Sequence, residues 1–289
     1  MKNLLILSGK GGTGKTTVAS AFIHFAQAKA FADCDVDAPN LHIVAGVDAE
    51  PQKSDYYGSQ KAVINTDKCV SCDMCREKCR FGAIESTDEK YKVNEFSCEG
   101  CGVCVAVCPT GAVTLADDVA GKVELYNGEC VFCTAELKMG RGNSGKLVST
   151  VKSTLQKNAH DAPLAIIDGS PGIGCPVIAS VSGVTMVLIV TEPTMSGLSD
   201  LKRILKTVTA FHSRAAVCVN KADINNTMTA EIENYCEENK IPFVGTIPYD
   251  KQASVAINAG KSIAETDCTA KQAIKEIFDR MMRMMEVTP

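Results

Sequence analysis

The sequence lacks the long apolar runs, the leader segment and the excess of basic residues that would direct a chain to a membrane, the cell exterior or a nucleic acid. No apolar run reaches the roughly 18 residues of a membrane-spanning helix. The chain enters the apolar run Leu4 to Leu7 without a signal peptide, so we expect a cytoplasmic protein with no stable membrane insertion. The 30 Lys and Arg residues are outnumbered by 34 Asp and Glu residues. No basic stripe is interleaved with aromatics, which argues against a nucleic-acid partner.

Cysteine, by contrast, is abundant, with 15 in 289 residues. In a chain without a leader, this number favours metal or redox chemistry over disulfides. Two runs share the spacing C-x2-C-x2-C-x3-C, the first at Cys69, Cys72, Cys75 and Cys79 and the second at Cys98, Cys101, Cys104 and Cys108. The repeat continues beyond the cysteines, because Gly82-Ala83-Ile84 is echoed by Gly111-Ala112-Val113.

This repeat resembles the bacterial two-cluster ferredoxins, in which the fourth cysteine of each run binds the other cluster. The resemblance implies two [4Fe–4S] clusters. One would be held by Cys69, Cys72, Cys75 and Cys108, and the other by Cys98, Cys101, Cys104 and Cys79. Arg80 replaces the proline expected after the first run, which removes no ligand. Two zinc sites are the alternative interpretation.

The first apolar run is followed by a glycine-rich loop, and residues 9–16 match G-x-x-x-x-G-K-[ST]. Glycines let backbone N–H groups approach phosphate, and the following helix N-terminus adds positive potential. Lys15 is expected to reach the β- and γ-phosphates, and Thr16 the Mg²⁺. The residues predicted to bind the nucleotide in this loop are Gly11, Gly12, Thr13, Gly14, Lys15, Thr16 and Thr17. An ordinary glycine-rich turn is the alternative.

A second lysine, Lys10, makes this loop more specific. The pattern K-G-G-T-G-K-T-T resembles the deviant Walker A motif of the MinD/ParA class, which includes the nitrogenase iron protein and Mrp-type ATPases. In that class this lysine crosses a dimer interface to the nucleotide of the other subunit. The resemblance therefore implies a homodimer, or a dimer with a paralogous ATPase, that hydrolyses ATP when closed. A solvated loop lysine is the alternative.

Acidic residues follow two predicted strands in the patterns of the same class. The stretch Asp33 to Leu41 resembles its switch I region, where Asp35 would activate the attacking water and Asp33 or Asp37 would hold Mg²⁺ through water. The buried run 164–168, followed by G-S-P-G, resembles its Walker B and switch II element. Asp168 would bind Mg²⁺ through water, and Gly172 would sense the γ-phosphate.

The tetrapeptide Asn220-Lys221-Ala222-Asp223 matches the guanine-reading N-K-x-D motif of GTPases. The MinD/ParA class uses the asparagine at this place for adenine, so the deviant loop favours ATP over GTP. Asn220 would contact the base, and Pro248 lies in the expected base-proximal loop.

A hairpin is predicted over 123–132; its second strand carries Cys130, and Cys133 directly follows it, which makes a further C-x-x-C pair. This pair could bridge two subunits, bind a partner's metal, cycle as a dithiol, or have no such role. If both residues lie in one strand, their side chains face opposite sides, which disfavours joint ligation. The link Ala28 to Ala30, between helix and strand, and the join at Arg214 are shorter than the resemblance implies.

The alternation of apolar strands with helices predicts a doubly wound parallel α/β sheet of the P-loop NTPase type. The predicted organisation is an ATPase domain in two parts, 1–64 and 117–289, around an inserted small α+β ferredoxin-like domain at 65–116. We expect a Mg²⁺-dependent ATPase that couples dimer closure to electron transfer through two [4Fe–4S] clusters to a redox partner. The alternative is a carrier or scaffold that delivers Fe–S or mixed-metal clusters to a metallocluster partner.

Overall fold

The computed structural model describes residues 1–47, 49–87 and 90–286. These residues group into two compact units. The first comprises Met1–Lys53, Val123–Glu136 and the chain from Ser144 onward, and the second comprises Ser54–Lys122 and Leu137–Asn143. The second unit thus starts before the predicted insert at 65–116 and includes a later loop that the sequence did not assign to it.

The strands and helices follow one another along both units. The strands of the described residues are β1 (Lys2–Leu7), β2 (Ala30–Asp33), β3 (Gln52–Tyr57), β4 (Lys61–Ile64), β5 (Ile84–Thr87), β6 (Lys90–Val93), β7 (Val113–Ala116), β8 (Val119–Asn127), β9 (Val131–Leu137), β10 (Leu164–Asp168), β11 (Met186–Thr191), β12 (Arg214–Asn220) and β13 (Phe243–Ile247). The described α-helices are α1 (Lys15–Ala26), α2 (Leu41–Val44), α3 (Met74–Glu77), α4 (Val103–Val107), α5 (Ser144–Asn158), α6 (Cys175–Val181), α7 (Met195–Ala210), α8 (Asn226–Glu238), α9 (Lys251–Asn258) and α10 (Thr269–Glu286).

The large sheet has the strand order β13-β12-β11-β1-β10-β2-β9-β8-β3. Neighbouring strands from β13 to β9 run parallel. Strand β1 is central within the parallel part of the sheet, and its residues 4–7 are apolar and buried because helices cover both faces of such a sheet. Carboxyl ends of parallel strands meet at one edge, so the loops after β1, β2, β10 and β12 lie at the same edge.

The core of the first unit joins this sheet to α1 and to the terminal helix α10. The rings of Phe22 and Phe278 meet edge to face, with centroids 5.1 Å apart. In α10, Ile274, Met281 and Met285 are buried in the same core, so the methionine-rich helix packs against the protein. Among the described residues, no helix combines the length and apolar content that spanning a membrane requires.

The short link after α1 is made possible by one unusual backbone conformation. Gln27 adopts left-handed dihedral angles, with φ of 44°. Its N–H donates to the His24 carbonyl at 3.1 Å, and the Ala28 N–H donates to the Ile23 carbonyl at 3.0 Å. This arrangement satisfies the last carbonyls of the helix, as a Schellman motif does. The chain therefore enters β2 directly.

The second unit repeats one small motif, as its sequence does. Strand β4 pairs with β7, and β5 pairs with β6, both antiparallel. Gly82 and Gly111, at equivalent places in the repeat, both have positive φ angles, of 60° and 63°. The alanines that follow them, Ala83 and Ala112, are both buried. The sequence repeat is therefore also a repeat of backbone conformation.

Candidate functional site

The phosphate loop lies between β1 and α1. Gly12 and Gly14 have φ angles of 79° and 88°, which glycine adopts most readily. A Cβ atom on Gly14 would come within 2.3 Å of the Asn220 amide nitrogen. The loop lines a cavity of about 740 Å³ together with Asp35 and Asp37. A glycine-rich loop at the edge of such a cavity, followed by a helix N-terminus, is suited to binding phosphate.

Asp168, fully buried at the end of β10, joins the lysine and the threonine of this loop. Lys15 Nζ donates to Asp168 Oδ1 at 2.6 Å, and Thr16 Oγ1 donates to Asp168 Oδ2 at 2.6 Å. Burial lowers the pKa of the Lys15 ammonium, but Asp168 and its neighbours outweigh burial, and the net pKa is raised. Lys15 thus stays charged inside the protein.

The acidic residues after β2 have different environments. Asp33 is fully buried, and its oxygens accept hydrogen bonds of 2.9 Å from the N–H groups of Asp35, Asn40 and Leu41. Burial and the nearby Asp168 raise the pKa of Asp33 to about 7. Both of its oxygens are thus used to fold the loop 34–41 back on itself.

Asp35 and Asp37, in contrast, line the cavity at the phosphate loop. Asp35 Oδ2 lies 3.9 Å from Lys15 Nζ. Burial raises the pKa of Asp35 to about 6, against the opposing effect of Lys15. Of the two magnesium ligands that the sequence left open, Asp37 is therefore the one with access to the cavity.

A second cavity, of about 160 Å³, lies beside the loop and includes Asn220 and Pro248 in its lining. Asn220 Nδ2 donates to the Thr13 carbonyl at 2.7 Å, so its amide also holds the phosphate loop. Asp223, the last residue of N-K-x-D, accepts a hydrogen bond of 2.6 Å from the Tyr249 N–H. One of its carboxylate oxygens therefore binds the protein's own backbone.

Sequence reasoning missed Glu192, which directly follows β11. Its carboxylate binds two lysines, with Oε2 3.0 Å from Lys10 Nζ and Oε1 2.6 Å from Lys221 Nζ. Burial alone would raise the pKa of Glu192, but the two lysines lower it below its ordinary value. In the sequence, T-E-P-T reads as a loop between strand and helix, so no local signal indicates this role.

The cysteines of the second unit line two separate cavities. One has a volume of about 20 Å³, and the other of about 10 Å³. The cysteines that line the larger space are Cys79, Cys98, Cys101 and Cys104. The cysteines that line the smaller space are Cys69, Cys72, Cys75 and Cys108. In each cavity, three cysteines of one run lie with the fourth cysteine of the other run.

These thiols surround a space and do not converge on one point. Within residues 1–47, 49–87 and 90–286, no three Cys, His, Asp or Glu side chains are grouped closely enough to hold a single metal ion. Burial raises the pKa of Cys75 and Cys104. For Cys108, hydrogen bonds from Thr110 and nearby backbone N–H groups outweigh burial and lower the pKa to about 7.

Cys130 and Cys133 are not brought together at a surface. Strand β9 begins after Cys130, and residues 128–130 form a longer connection than the predicted two-residue turn. Cys133 is fully buried, and burial raises its pKa to about 12, whereas Cys130 is half-buried against the core. The loop 138–143, which follows β9, belongs to the second unit, where Arg141 pairs with Glu95 and Asp118.

A phosphate loop after the central strand and a buried aspartate on the neighbouring strand define a P-loop NTPase with the MinD/ParA type of parallel α/β sheet. Residues 4–263 match the family described as the CobQ/CobB/MinD/ParA nucleotide binding domain, and the chain belongs to this family.

Similar proteins span its length. An uncharacterised protein of Methanocaldococcus jannaschii, MJ0578, is 32% identical over 290 residues, which cover 96% of this chain and 95% of that protein. MinD from Pyrococcus horikoshii OT3, complexed with Mg-ADP, has a TM-score of 0.58 at 16% identity and covers 99% of this chain and 97% of its own. A chain of the MinC:MinD cell division complex from Aquifex aeolicus has a TM-score of 0.56 at 19% identity and covers 100% of this chain and 98% of its own. At these identities, the solved structures show a shared fold.

Proposed function

We propose that this protein hydrolyses Mg-ATP in its first unit and transfers electrons to a partner protein from two [4Fe–4S] clusters in its second unit. Nucleotide-driven closure of a dimer would link the two activities. The observation that carries this proposal is the pairing of a complete phosphate site with two cavities that are each lined by four cysteines.

The residues of the phosphate site suit ATP hydrolysis. Lys15, held charged by Asp168, is positioned to neutralise the β- and γ-phosphates. Thr16 and Asp168, with Asp37 beside the cavity, would hold Mg²⁺ directly or through water. Asp35 would orient the attacking water, because it lies beside Lys15 and carries no backbone-anchoring role like that of Asp33.

Adenine is favoured over guanine by the environment of Asp223. In a guanine-reading motif this carboxylate must accept hydrogen bonds from the base, but here one of its two oxygens already accepts the Tyr249 N–H. Asn220 and Pro248 line the adjoining cavity and would contact adenine. The similar MinD from Pyrococcus horikoshii, which is complexed with Mg-ADP, is consistent with this choice.

The arrangement of the cysteines supports iron–sulfur clusters. A [4Fe–4S] cluster is held by four Cys thiolates, and each cavity is lined by four cysteines. When bound, these clusters supply one-electron transfer. Each cavity mixes the two cysteine runs as a two-cluster ferredoxin does.

The alternative function is a carrier that delivers clusters to a partner. A labile metal site at Cys130 and Cys133 would favour it. The burial of Cys133 and the different environment of Cys130 make this pair a poor exchange site, so we favour electron transfer.

The test is an anaerobic reductive titration followed by electron paramagnetic resonance, with iron counting, with and without a non-hydrolysable ATP analogue. We expect about eight irons per chain and cluster potentials that shift when the analogue binds. Potentials that do not move would favour the carrier, and an absence of iron would contradict both functions.

Lys10→Ala tests the dimer separately. We expect loss of ATP hydrolysis with an unchanged iron content, because the proposed role of Lys10 is to reach the nucleotide of a second subunit. Retained hydrolysis would contradict this role.

A further inference from the structure

The Glu192 carboxylate connects the two sides of the nucleotide site. Lys10 lines the phosphate cavity, and Lys221 lines the cavity assigned to the base. One carboxylate binds both ammonium groups, at 3.0 Å and 2.6 Å, and the Glu192 side chain is only 14% exposed. Two cations therefore share one anion at the edge of the sheet where the nucleotide binds.

The two lysines are held unequally. Lys221 Nζ also donates to the Gly12 carbonyl at 3.2 Å, so it has a second attachment to the phosphate loop. Among the described residues, the ammonium of Lys10 is bound by Glu192 alone. The Lys10 side chain is also 37% exposed. Of the two lysines, Lys10 is thus the one that can leave without breaking a contact to the loop backbone.

The pairing of Lys10 with Glu192 competes with the proposed contact of Lys10 across the dimer interface. An ammonium that crosses to a second subunit must first give up its own carboxylate. A partly exposed ion pair contributes only modestly to stability, so a nucleoside triphosphate with several negative charges can displace it. The ion pair thus favours the position of Lys10 on its own chain, but a bound nucleotide can break it.

We propose that Glu192 is a positioning residue that holds Lys10 to its own chain and thereby restrains closure of the ATP-bound dimer. Lys221 sets the strength of this restraint, because it shares the carboxylate and so weakens the hold on Lys10. This inference rests on the proposed function, specifically on the role of Lys10 across a dimer interface.

The test measures the dimer dissociation constant by sedimentation of the full-length, anaerobically purified protein with a non-hydrolysable ATP analogue and Mg²⁺. Glu192→Gln keeps the side-chain shape and removes the charge. We expect a dimer about tenfold tighter, because closure no longer has to break the Lys10–Glu192 ion pair in each of the two subunits. Glu231→Gln, at an exposed position on α8, is the matched control and should leave the dissociation constant unchanged.

Lys221→Met should change the dimer dissociation constant in the opposite direction. Glu192 would then bind Lys10 alone and hold it more tightly, so the dimer should become several-fold weaker. A purely structural role of this cluster would instead predict the same direction for both variants, because each one breaks a contact of the site. Iron content and far-ultraviolet circular dichroism establish that each variant is folded.

The double variant Lys10→Ala/Glu192→Gln separates the inference from the proposed function. If Glu192 acts through Lys10, the tightening vanishes in this background. If Lys10→Ala alone weakens the dimer while Glu192→Gln does not tighten it, the restraint is wrong and the dimer role of Lys10 stands. If Lys10→Ala has no effect on the dimer, both are wrong. Tightening that persists in the double variant would also overturn the restraint.

Discussion

The two units build their sites in opposite ways. The nucleotide site is assembled from distant segments, because Lys15 meets a partner on β10 and the Thr13 carbonyl meets Asn220 after β12. The cysteine cavities take all their proposed ligands from one stretch of chain, between Cys69 and Cys108. The first site depends on the whole parallel sheet, whereas the second depends on a local repeat. Damage to either site should therefore leave the other largely intact.

The largest expected effect comes from Lys15→Met. It removes the cation that faces the phosphates and leaves the buried Asp168 without its ammonium partner. We expect ATP hydrolysis to fall by about 10² to 10³-fold, as when a group that stabilises transition-state charge is removed. The iron content should stay that of the unchanged protein. The measurements are phosphate release and iron per chain.

Lys157→Met, at an exposed position on α5, is the control for this change. It should leave both quantities unaltered. Iron loss in Lys15→Met without iron loss in the control would show that the two sites do not form independently.

The second effect is on the local repeat. Cys72 is exposed and lines only the smaller cysteine cavity among those described here. Cys72→Ser should remove one cluster and lower the iron count from about eight to about four per chain. ATP binding should be unaffected, because the nucleotide site shares no residue with this cavity. Iron analysis and nucleotide titration measure the two outcomes.

Cys175→Ser provides the comparison, since Cys175 is also exposed but lies outside both cysteine cavities. Its iron count should remain that of the unchanged protein. Iron loss here would mean that ligation extends beyond the two runs.

The difference between the units also explains what the sequence could predict. The resemblance of the cysteine runs to two-cluster ferredoxins implies the same two sets of four thiols that line the two cavities. Strand β10 ends at Asp168 as predicted, since an apolar run followed by an acid is a local signal. Helix α7 begins at Met195, where the Thr194 hydroxyl accepts the Gly197 N–H. This N-cap could have been found from the sequence.

The roles of Asp33 and Glu192 could not be predicted in this way. Strand β2 ends at Asp33, because that side chain accepts backbone N–H groups of the following loop and turns the loop back. Glu192 has its partners on segments far from it in sequence. Both roles exist only after the sheet has brought separate loops to one edge.

A third, smaller effect concerns the pH dependence of the first unit. Asp33 has a folded pKa of about 7, above its ordinary value of 3.8. A carboxyl with a raised folded pKa stabilises the protein at low pH, and this stabilisation is lost as pH rises through the folded value. Between pH 6 and pH 8 we expect Asp33 to remove about 1 kcal/mol from the unfolding free energy.

Asp33→Asn should abolish this portion of the slope, measured by urea unfolding followed by circular dichroism. The variant's absolute stability is a separate matter, because an amide cannot accept all three backbone N–H groups. A slope identical in the two proteins would contradict a buried, titrating Asp33.

The smallest effect distinguishes the two halves of the repeat. Thr110 follows the second run, and its hydroxyl lies 3.7 Å from Cys108 Sγ, whereas the equivalent residue after the first run is Phe81. A hydrogen bond to a ligating sulfur raises the reduction potential by stabilising the added negative charge. Thr110→Val should therefore lower the potential of the cluster that Cys108 serves, by about 20–40 mV if the bond is worth a fraction of a kcal/mol to 1 kcal/mol.

Phe81→Thr is the reciprocal change, since it offers a hydroxyl beside Cys79 in the other cavity. It should raise the reduction potential of the cluster that Cys79 serves and leave the potential of the cluster that Cys108 serves unchanged. Potentiometric titration with paramagnetic resonance resolves the two signals. If Thr110→Val shifts the signal that Cys72→Ser removes, then Cys108 and Cys72 serve the same cluster, which links the two cysteine runs through one centre. If it shifts the surviving signal, the crossed ligation is wrong and each run holds its own cluster.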